Sequence, residues 1–256
     1  HVNLSSRFRV YNDAKGQIGT VYTSIIYNGD LYLGTNQGLF VKSRKSSGDF
    51  DFVEGTSGQV WALKIIDDQL FCGHDLGTLI VSGGKIRTKI TEANGTWDFK
   101  KIKHTNFILQ GNYSGLHVLE NKLGTWKYRN KVQGFDISSR FFHFADKRLY
   151  VNHELRGLYA LELSEDFTKV VQSNNIDSID LGFGSNFINF SNSFYYTSAN
   201  GLYKLSQASG EFEEAPIISN ILNQYNTTST LLNVNATDQV KWCFADNNIL
   251  LLSPGS

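Results

Sequence analysis

The chain has 256 residues, and its 24 Lys and Arg balance its 24 Asp and Glu, so the formal net charge is zero. This balance lacks the positive surplus expected of a protein that binds nucleic acid or anionic membranes. No apolar run approaches the roughly 18 residues that a membrane span needs. We therefore expect no direct nucleic-acid contact and no membrane insertion by this segment.

Composition favours a β-rich domain. Aromatic residues make up 13% of the chain, which has 23 Gly and only 2 Pro, unlike disordered or collagen-like sequences. The chain begins His-Val-Asn and contains no Met. We therefore expect a fragment or a processed product of a longer protein.

The first predicted elements are a single strand over residues 5–11, where apolar and polar residues alternate, and a hairpin over residues 31–41. In the hairpin, the sequence Leu-Tyr-Leu-Gly-Thr-Asn-Gln-Gly-Leu-Phe-Val places a polar turn between two apolar runs. Gly38 closes the turn because glycine reaches the positive φ that such turns need. This hairpin predicts two central strands of a sheet.

The hairpin recurs along the whole chain. Its turn positions are spaced by 39, 38, 42, 44 and 47 residues, and they are Gly38, Gly77, Gly115, Gly157, Gly201 and Asn248. Asn248 replaces glycine in the last copy, and Asn is the next most tolerant residue of positive φ. Each full copy contains four short strand patterns, and such a unit every ~40–45 residues is typical of a propeller blade.

We therefore predict an all-β fold, a β-propeller of four-stranded antiparallel blades in a single domain over residues 1–256. A helical turn is expected only over residues 220–225. The six predicted blades span residues 20–57, 58–95, 96–138, 139–183, 184–228 and 229–253.

The sixth repeat lacks a fourth strand. The N-terminal strand over residues 5–11 could supply it and close the ring of blades. Alternatively, the chain is part of a larger array and leaves an open edge that would tend to pair elsewhere. The sequence favours closure but leaves both arrangements open.

Two cysteines, Cys72 and Cys243, occupy the same position in the second and sixth repeats. Equivalent positions in separate blades should lie farther apart than the ~7 Å that a disulfide spans between Cα atoms. We therefore predict two buried, unbridged thiols.

Candidate ligand-binding residues follow from propeller geometry, which brings the turn after the second strand and the loop between blades to one face. An aromatic residue opens the innermost strand in five repeats, and polar residues fill the turns. Aromatic faces among hydrogen-bonding groups suit a sugar or a similar polar ligand. Alternatively, the aromatic residues wedge blades together and the polar residues serve the turns. The candidates are Tyr22, Trp61, Trp97, Phe141, Phe187, Asn36, His74, Asp75, Asn112, Tyr113, His153, Glu154 and Arg156, with Gln37 and Asn200 as further turn residues.

Catalytic and metal-binding motifs do not emerge from the sequence. His153-Glu154 begins like a zinc-helix motif, but the second His is missing and the pair lies in a hairpin. His74 and His153 share nearly the same turn position, but a metal site would need a third ligand. We expect no catalytic residues, no metal and no cofactor. If the chain were an enzyme, Glu154, Asp75 and His153 would be the candidates.

Three segments resemble the two-component regulator propeller repeat: 31–40, 58–63 (Gly-Gln-Val-Trp-Ala-Leu) and 242–250. Segments 124–129 and 138–141 are similar to sensor regions of bacterial regulators that carry a triple-tyrosine module. The resemblance implies a periplasmic sensor region ahead of a triple-tyrosine domain, a membrane helix and a kinase or DNA-binding output. It also implies a response to polysaccharide fragments in some members.

The sequence thus favours a non-catalytic sensor that binds a small polar ligand, such as a glycan fragment, and relays the change to downstream domains of the same protein. A homodimer is compatible with this interpretation. The alternatives are a carbohydrate-active propeller enzyme, either a lyase or a glycosidase, and a scaffold for protein interactions.

Overall fold

The computed structural model describes residues 16–46, 48–145, 147–179, 185–190, 193–198, 201–216, 232–237, 240–245 and 248–252. The chain forms two compact units, His1–Lys101 and Ile102–Ser256. The described residues contain 23 β-strands. Within these residues, no helix is long and apolar enough to cross a membrane.

The first unit contains two four-stranded antiparallel sheets, β1–β4 and β5–β8, with the strands in chain order. A ninth strand follows them. The strands are β1 (Val21–Tyr27), β2 (Asp30–Thr35), β3 (Leu39–Lys42), β4 (Asp51–Phe52), β5 (Val60–Ile66), β6 (Gln69–His74), β7 (Gly77–Ser82), β8 (Lys85–Ile90) and β9 (Asp98–Lys101).

In the second unit, three strands pair in chain order, two four-stranded sheets follow, and a three-stranded sheet comes last. The first three are β10 (Phe107–Asn112), β11 (Gly115–Lys122) and β12 (Thr125–Lys131). The four-stranded sheets are β13 (Phe141–Ala145), β14 (Arg148–His153), β15 (Gly157–Leu163), β16 (Val170–Asn175), and β17 (Asn186–Phe190), β18 (Ser193–Ser198), β19 (Gly201–Leu205), β20 (Phe212–Glu214). The last sheet is β21 (Leu232–Thr237), β22 (Val240–Ala245) and β23 (Asn248–Leu252).

Two-residue turns join several neighbouring strands, and their backbone explains the sequence there. Gly83 and Gly84 between β7 and β8 have φ of 59° and 67°. Asp67 and Asp68 between β5 and β6 have φ of 48° and 58°. Paired positive φ values characterise the hairpin turn whose twist matches that of the strands. The turns therefore hold neighbouring strands antiparallel and in register.

A close approach between connecting loop and second strand requires glycine in two repeats. A Cβ added at Gly111 would lie 1.8 Å from the Ser139 carbonyl oxygen, and one at Gly73 would lie 2.5 Å from the Thr96 carbonyl oxygen. In the fourth repeat Asn152 replaces the glycine, and its Nδ2 donates to the Ser185 carbonyl oxygen over 3.0 Å. The sequence thus fixes each loop on its strand either by removing a side chain or by adding a hydrogen bond.

Small hydroxyl residues in these connecting loops are fully buried. They were not among the residues that sequence patterns singled out, because Ser and Thr in a loop ordinarily signal exposed turns. Thr56 Oγ1, for example, donates to the Val53 carbonyl oxygen over 2.7 Å and accepts the Leu39 N–H over 2.9 Å. The set comprises Thr56, Thr96, Ser139 and Ser185.

The predicted buried thiol is confirmed at Cys72, which is fully buried and unbridged. Burial raises the pKa of this thiol well above its ordinary value. Three predictions fall outside the described residues: the strand at 5–11, the turn at 220–225 and the burial of the Cys243 side chain. Ring closure depends on the strand at 5–11 and therefore stays a prediction. The last strand of the β17–β20 sheet, β20, ends at Glu214, two residues before Pro216.

Substitution of Gly111 by Ala tests the close approach. We expect Gly111→Ala to lower the free energy of unfolding by roughly 2–4 kcal/mol, because the added methyl group forces the Ser139 backbone away. Chemical denaturation measures this loss. The matched control is Gly48→Ala, since Gly48 is exposed and the nearest atom to its added Cβ is a Ser46 hydroxyl at 3.3 Å. An equal loss in both variants would contradict the steric explanation.

His117 predicts an acid-dependent loss of stability. Burial, and then the charge of Lys131, lower the pKa of this histidine to about 4 from its ordinary 6.5. Between pH 6.5 and pH 4 the unfolded chain binds a proton at His117 and the folded chain does not. The contribution of His117 to the free energy of unfolding is therefore fully present above pH 6.5 and is lost as the pH drops towards 4. The expected loss is roughly 3 kcal/mol, measured by urea denaturation across this range. His117→Gln should flatten that part of the profile, whereas an unchanged slope would assign it to other groups.

Candidate functional site

Three aromatic side chains in the first unit form a continuous stack. The Tyr22 and Trp61 ring centres lie 4.8 Å apart with 27° between planes, and Trp61 lies 4.6 Å from Trp97 at 43°. Tyr22 is 44% exposed, and the two tryptophans are half-buried. We call Tyr22, Trp61 and Trp97 the aromatic stack. The structure thus brings together three of the residues that the sequence singled out.

Two β-bulges present the stack. The β1–β2 register breaks around Tyr22, and the β5–β6 register breaks around Trp61, so neither residue has a partner opposite it in the ladder. A bulge re-aims a side chain and is common beside binding sites. Alternation along the strand could not predict these bulges, because each one adds a residue without changing the apolar pattern on either side.

The hairpin turns are bound to the connecting loops next to the stack. In the first sheet the Asn36 N–H donates to the Thr20 carbonyl oxygen over 3.1 Å, and Asn36 Oδ1 accepts the Thr20 N–H over 2.7 Å. In the second, the Asp75 N–H donates to the Gln59 carbonyl oxygen over 3.0 Å. Because Thr20 and Gln59 each lie two residues before a stacked aromatic, each turn adjoins the stack.

Asp75 also connects to the next loop along the chain, because its carbonyl oxygen accepts the Gly95 N–H over 2.8 Å. Its carboxylate lies over Gly58, where an added Cβ would be 2.7 Å from Asp75 Oδ1. Asp75 therefore sits between the loops that lead to Trp61 and Trp97. It is the charged counterpart of Asn36, which lies over Gly19 in the first sheet in the same way.

His74 does not face a ligand. It is 2% exposed, its Nε2 lies 3.3 Å from the Thr56 carbonyl oxygen, and its Nδ1 accepts the Leu76 N–H over 3.0 Å. Its Nδ1 also lies 2.6 Å from Asp75 Oδ1. The prediction that His74 contributes to a ligand surface is therefore not supported, since the ring is a buried support for the turn.

Next to Trp97, Asp98 forms a cluster with two lysines of the first unit. Lys64 Nζ lies 3.3 Å from Asp98 Oδ1, and Lys100 Nζ lies 3.2 Å from Oδ2. Burial alone would raise the pKa of the Asp98 carboxyl, but Lys100 and Lys64 outweigh burial and hold the pKa below its ordinary value. The carboxylate thus engages both ammonium groups.

In the second unit, the two predicted aromatic residues face the protein more than the solvent. Phe187 is 8% exposed, and its ring centre lies 5.1 Å from Phe194 and 5.7 Å from Tyr196. Phe141 is half-buried against the same cluster, with the Arg140 guanidinium 4.9 Å from its ring centre. Phe187 therefore fits the alternative that an aromatic residue packs between strands, because burial of its apolar ring stabilises the fold.

The turn residues of the second unit divide by exposure. Asn112 is fully buried, so its predicted role in a ligand surface is not supported. Tyr113 is 42% exposed. His153 and Glu154 are half-buried and Arg156 is exposed. His153 Nδ1 accepts the Leu155 N–H over 3.2 Å, which is a turn contact. Asn200 lies outside the described residues, and ligand contact by the exposed residues stays a prediction.

A second concave feature lies at the outer edge of the first unit. This cleft of about 600 Å³ is lined by Phe52, Glu54, Gly84, Lys85, Ile86, Arg87 and Lys89. Its cations lie on β8, the edge strand of its sheet. Charged side chains on an edge strand discourage pairing with another chain, which accounts for them without a ligand. Among the described residues, no three His, Cys, Asp or Glu side chains form a metal-binding group.

Comparison with solved structures reveals propellers. The extracellular domain of a putative hybrid two-component system from B. thetaiotaomicron superposes with a TM-score of 0.64 at 13% identity, over 96% of this chain and 33% of that one. The WD40 β-propeller domain of Doa1 superposes with a TM-score of 0.58 at 12% identity, over 89% of this chain and 76% of that one. A putative 6-phosphogluconolactonase from Bacteroides fragilis superposes with a TM-score of 0.55 at 12% identity, over 78% of this chain and 70% of that one.

The chain spans about a third of the length of the two-component sensor structure that it matches. No family model and no curated protein matches the sequence. At these identities the likeness establishes the architecture. The predicted fold is thereby confirmed: the chain is an all-β protein with the β-propeller fold.

Proposed function

We propose that this chain is the non-catalytic sensor propeller of a bacterial signal-transduction protein and binds a small polar ligand, of which a glycan fragment is the best fit, on the aromatic stack. Ligand binding would bias downstream domains of the same protein. The observation that carries the proposal is the stack itself, with an exposed tyrosine and two half-buried tryptophans beside polar turns.

The chemistry of the stack supports a sugar. Sugar rings have apolar C–H faces that pack on aromatic rings, and hydroxyl rims that need hydrogen-bond partners. Aromatic walls with a few oriented polar groups are the usual composition of a small-molecule site. Asp75 and the polar turn residues Asn36 and Gln37 lie close to the stack in the chain fold, because their turns are bonded to its loops.

The sensor role draws on the superposition with the extracellular domain of a putative hybrid two-component system. By analogy, the propeller would face the periplasm, and the remainder of a longer protein would carry the output. The non-catalytic assignment draws on the histidines. His74 is buried, with Nε2 against the Thr56 carbonyl oxygen and Nδ1 against the Leu76 N–H and Asp75 Oδ1, and His153 Nδ1 accepts a turn N–H. The lactonase-like propeller provides no residue that favours an enzyme here.

A thermal-shift screen with neutral oligosaccharides tests the proposal. A ligand at about 100 times its dissociation constant adds about 2.7 kcal/mol, which should raise the midpoint by roughly 5–10 °C for a chain of this size. Trp61→Ala and Trp97→Ala should each weaken binding about ten-fold or more, measured by calorimetry, because each removes an aromatic face.

The matched control is Leu123→Ala, which truncates a fully exposed apolar side chain in the second unit. It should leave both the ligand shift and the affinity unchanged. If no neutral glycan shifts the midpoint, or if the tryptophan variants respond like the wild type, the stack is not the binding site. Turnover of an oligosaccharide by the purified chain would replace the sensor by an enzyme.

A further inference from the structure

The loops around the aromatic stack have an unusual charge composition. Five segments surround it: residues 17–22, 36–38, 56–61, 74–77 and 92–97, which we call the rim loops. They contain Asp75 and Glu92 but no Lys or Arg, in a chain whose charges otherwise balance. Aromatic faces carry a negative electrostatic potential, so they add to the effect of the carboxylates.

We infer that the ligand of the aromatic stack carries a protonated amine, as an amino-sugar oligosaccharide does, and that Asp75 is its counter-ion. The inference rests on the proposed function and narrows its ligand. Aromatic rings beside a carboxylate are the chemistry that recognises ammonium groups.

The position of Asp75 carries the argument. Its backbone bonds to the loops of both tryptophans, through Gln59 over 3.0 Å and Gly95 over 2.8 Å, and the tryptophan ring centres are 4.6 Å apart. The side chain is 30% exposed, so a ligand can reach the carboxylate. The turn therefore attaches this acidic residue to the loops that lead to Trp61 and Trp97.

Within the described part of the chain, the Asp75 carboxylate forms no ion pair with Lys or Arg. Its Oδ1 is buried without a hydrogen-bond donor there. Its close contact is with the buried His74 ring, whose Nδ1 lies 2.6 Å away and also 3.0 Å from the Leu76 nitrogen. By contrast, Asn36 Oδ1 at the equivalent position accepts the Thr20 N–H. Blade two thus carries a charge where blade one carries a satisfied amide.

Two lysines contact Asp98, the residue that follows Trp97. Lys64 and Lys100 both bind the Asp98 carboxylate, at 3.3 Å and 3.2 Å. They belong to β5 and β9, outside the rim loops. Both ammonium groups are thus paired with Asp98, and the rim loops themselves carry only the acidic side chains of Asp75 and Glu92 as permanent charges.

The test uses two probes with the same sugar backbone, one with protonated amines and one with those amines acetylated and neutral. Calorimetry compares a tetramer of glucosamine, with its amines protonated, with a tetramer of N-acetylglucosamine. The amine tetramer should bind about ten-fold tighter or more, equivalent to about 1.4 kcal/mol. Added salt should weaken its binding and leave the acetylated tetramer unaffected, because an exposed charge pair is screened.

Asp75→Asn is the decisive variant, since it reproduces at the second turn the amide found in the first. It should reduce the affinity for the amine tetramer to the affinity for the acetylated tetramer. The affinity for the acetylated tetramer should stay within two-fold of the wild-type value. Asp51→Asn removes an equal charge from an exposed position on β4 and should change neither affinity. Unfolding midpoints without ligand confirm that the variants are folded.

The outcomes separate this inference from the proposed function. If both tetramers bind equally and Trp61→Ala weakens both, the stack binds glycans but selects no amine, and the inference is overturned alone. If Asp75→Asn weakens both tetramers alike, Asp75 acts as a neutral hydrogen-bond acceptor. If neither tetramer binds, the inference fails, and the neutral glycan screen decides the proposed function separately.

Discussion

The attachment of each connecting loop to the neighbouring hairpin turn is the constraint on which the candidate site depends. The Asp75 turn binds loop backbone on both sides, through Gln59 and Gly95, and the Thr96 N–H donates to the His74 carbonyl oxygen over 3.0 Å. These contacts are made by backbone groups that must find partners wherever they are buried. They fix the loops, and the loops fix the tryptophans.

Glycine in the second strand makes this attachment feasible in two repeats. At Gly73 and Gly111 the loop carbonyl comes so close that any side chain would collide with it. Where Asn152 replaces glycine, a hydrogen bond to Ser185 takes over. The repeat therefore conserves the distance between loop and strand in space while allowing different residues to achieve it.

The sequence predicted the strands well because hairpin turns repeat and alternation is strong. The hairpin predicted over residues 31–41 is formed by β2 and β3. The site was less predictable. His74, Asn112 and Phe187 occupy positions that are polar or aromatic in the pattern, but burial depends on which way the turn or strand faces in space. The bulges at Tyr22 and Trp61 are set by backbone pairing across strands, which residue type alone does not encode.

Backbone atoms hold the Asp75 turn to its loops on both sides, so the exposed side chains at this turn contribute little to that attachment. Asn36 and Asp75 occupy the same place with different chemistry, and the exposed Leu76 follows directly after. Such a rim resembles an antibody framework, in which a constant scaffold displays interchangeable residues. Randomising positions 37, 59, 75 and 76 would accordingly yield a library of recognition surfaces on one propeller, with little loss of stability.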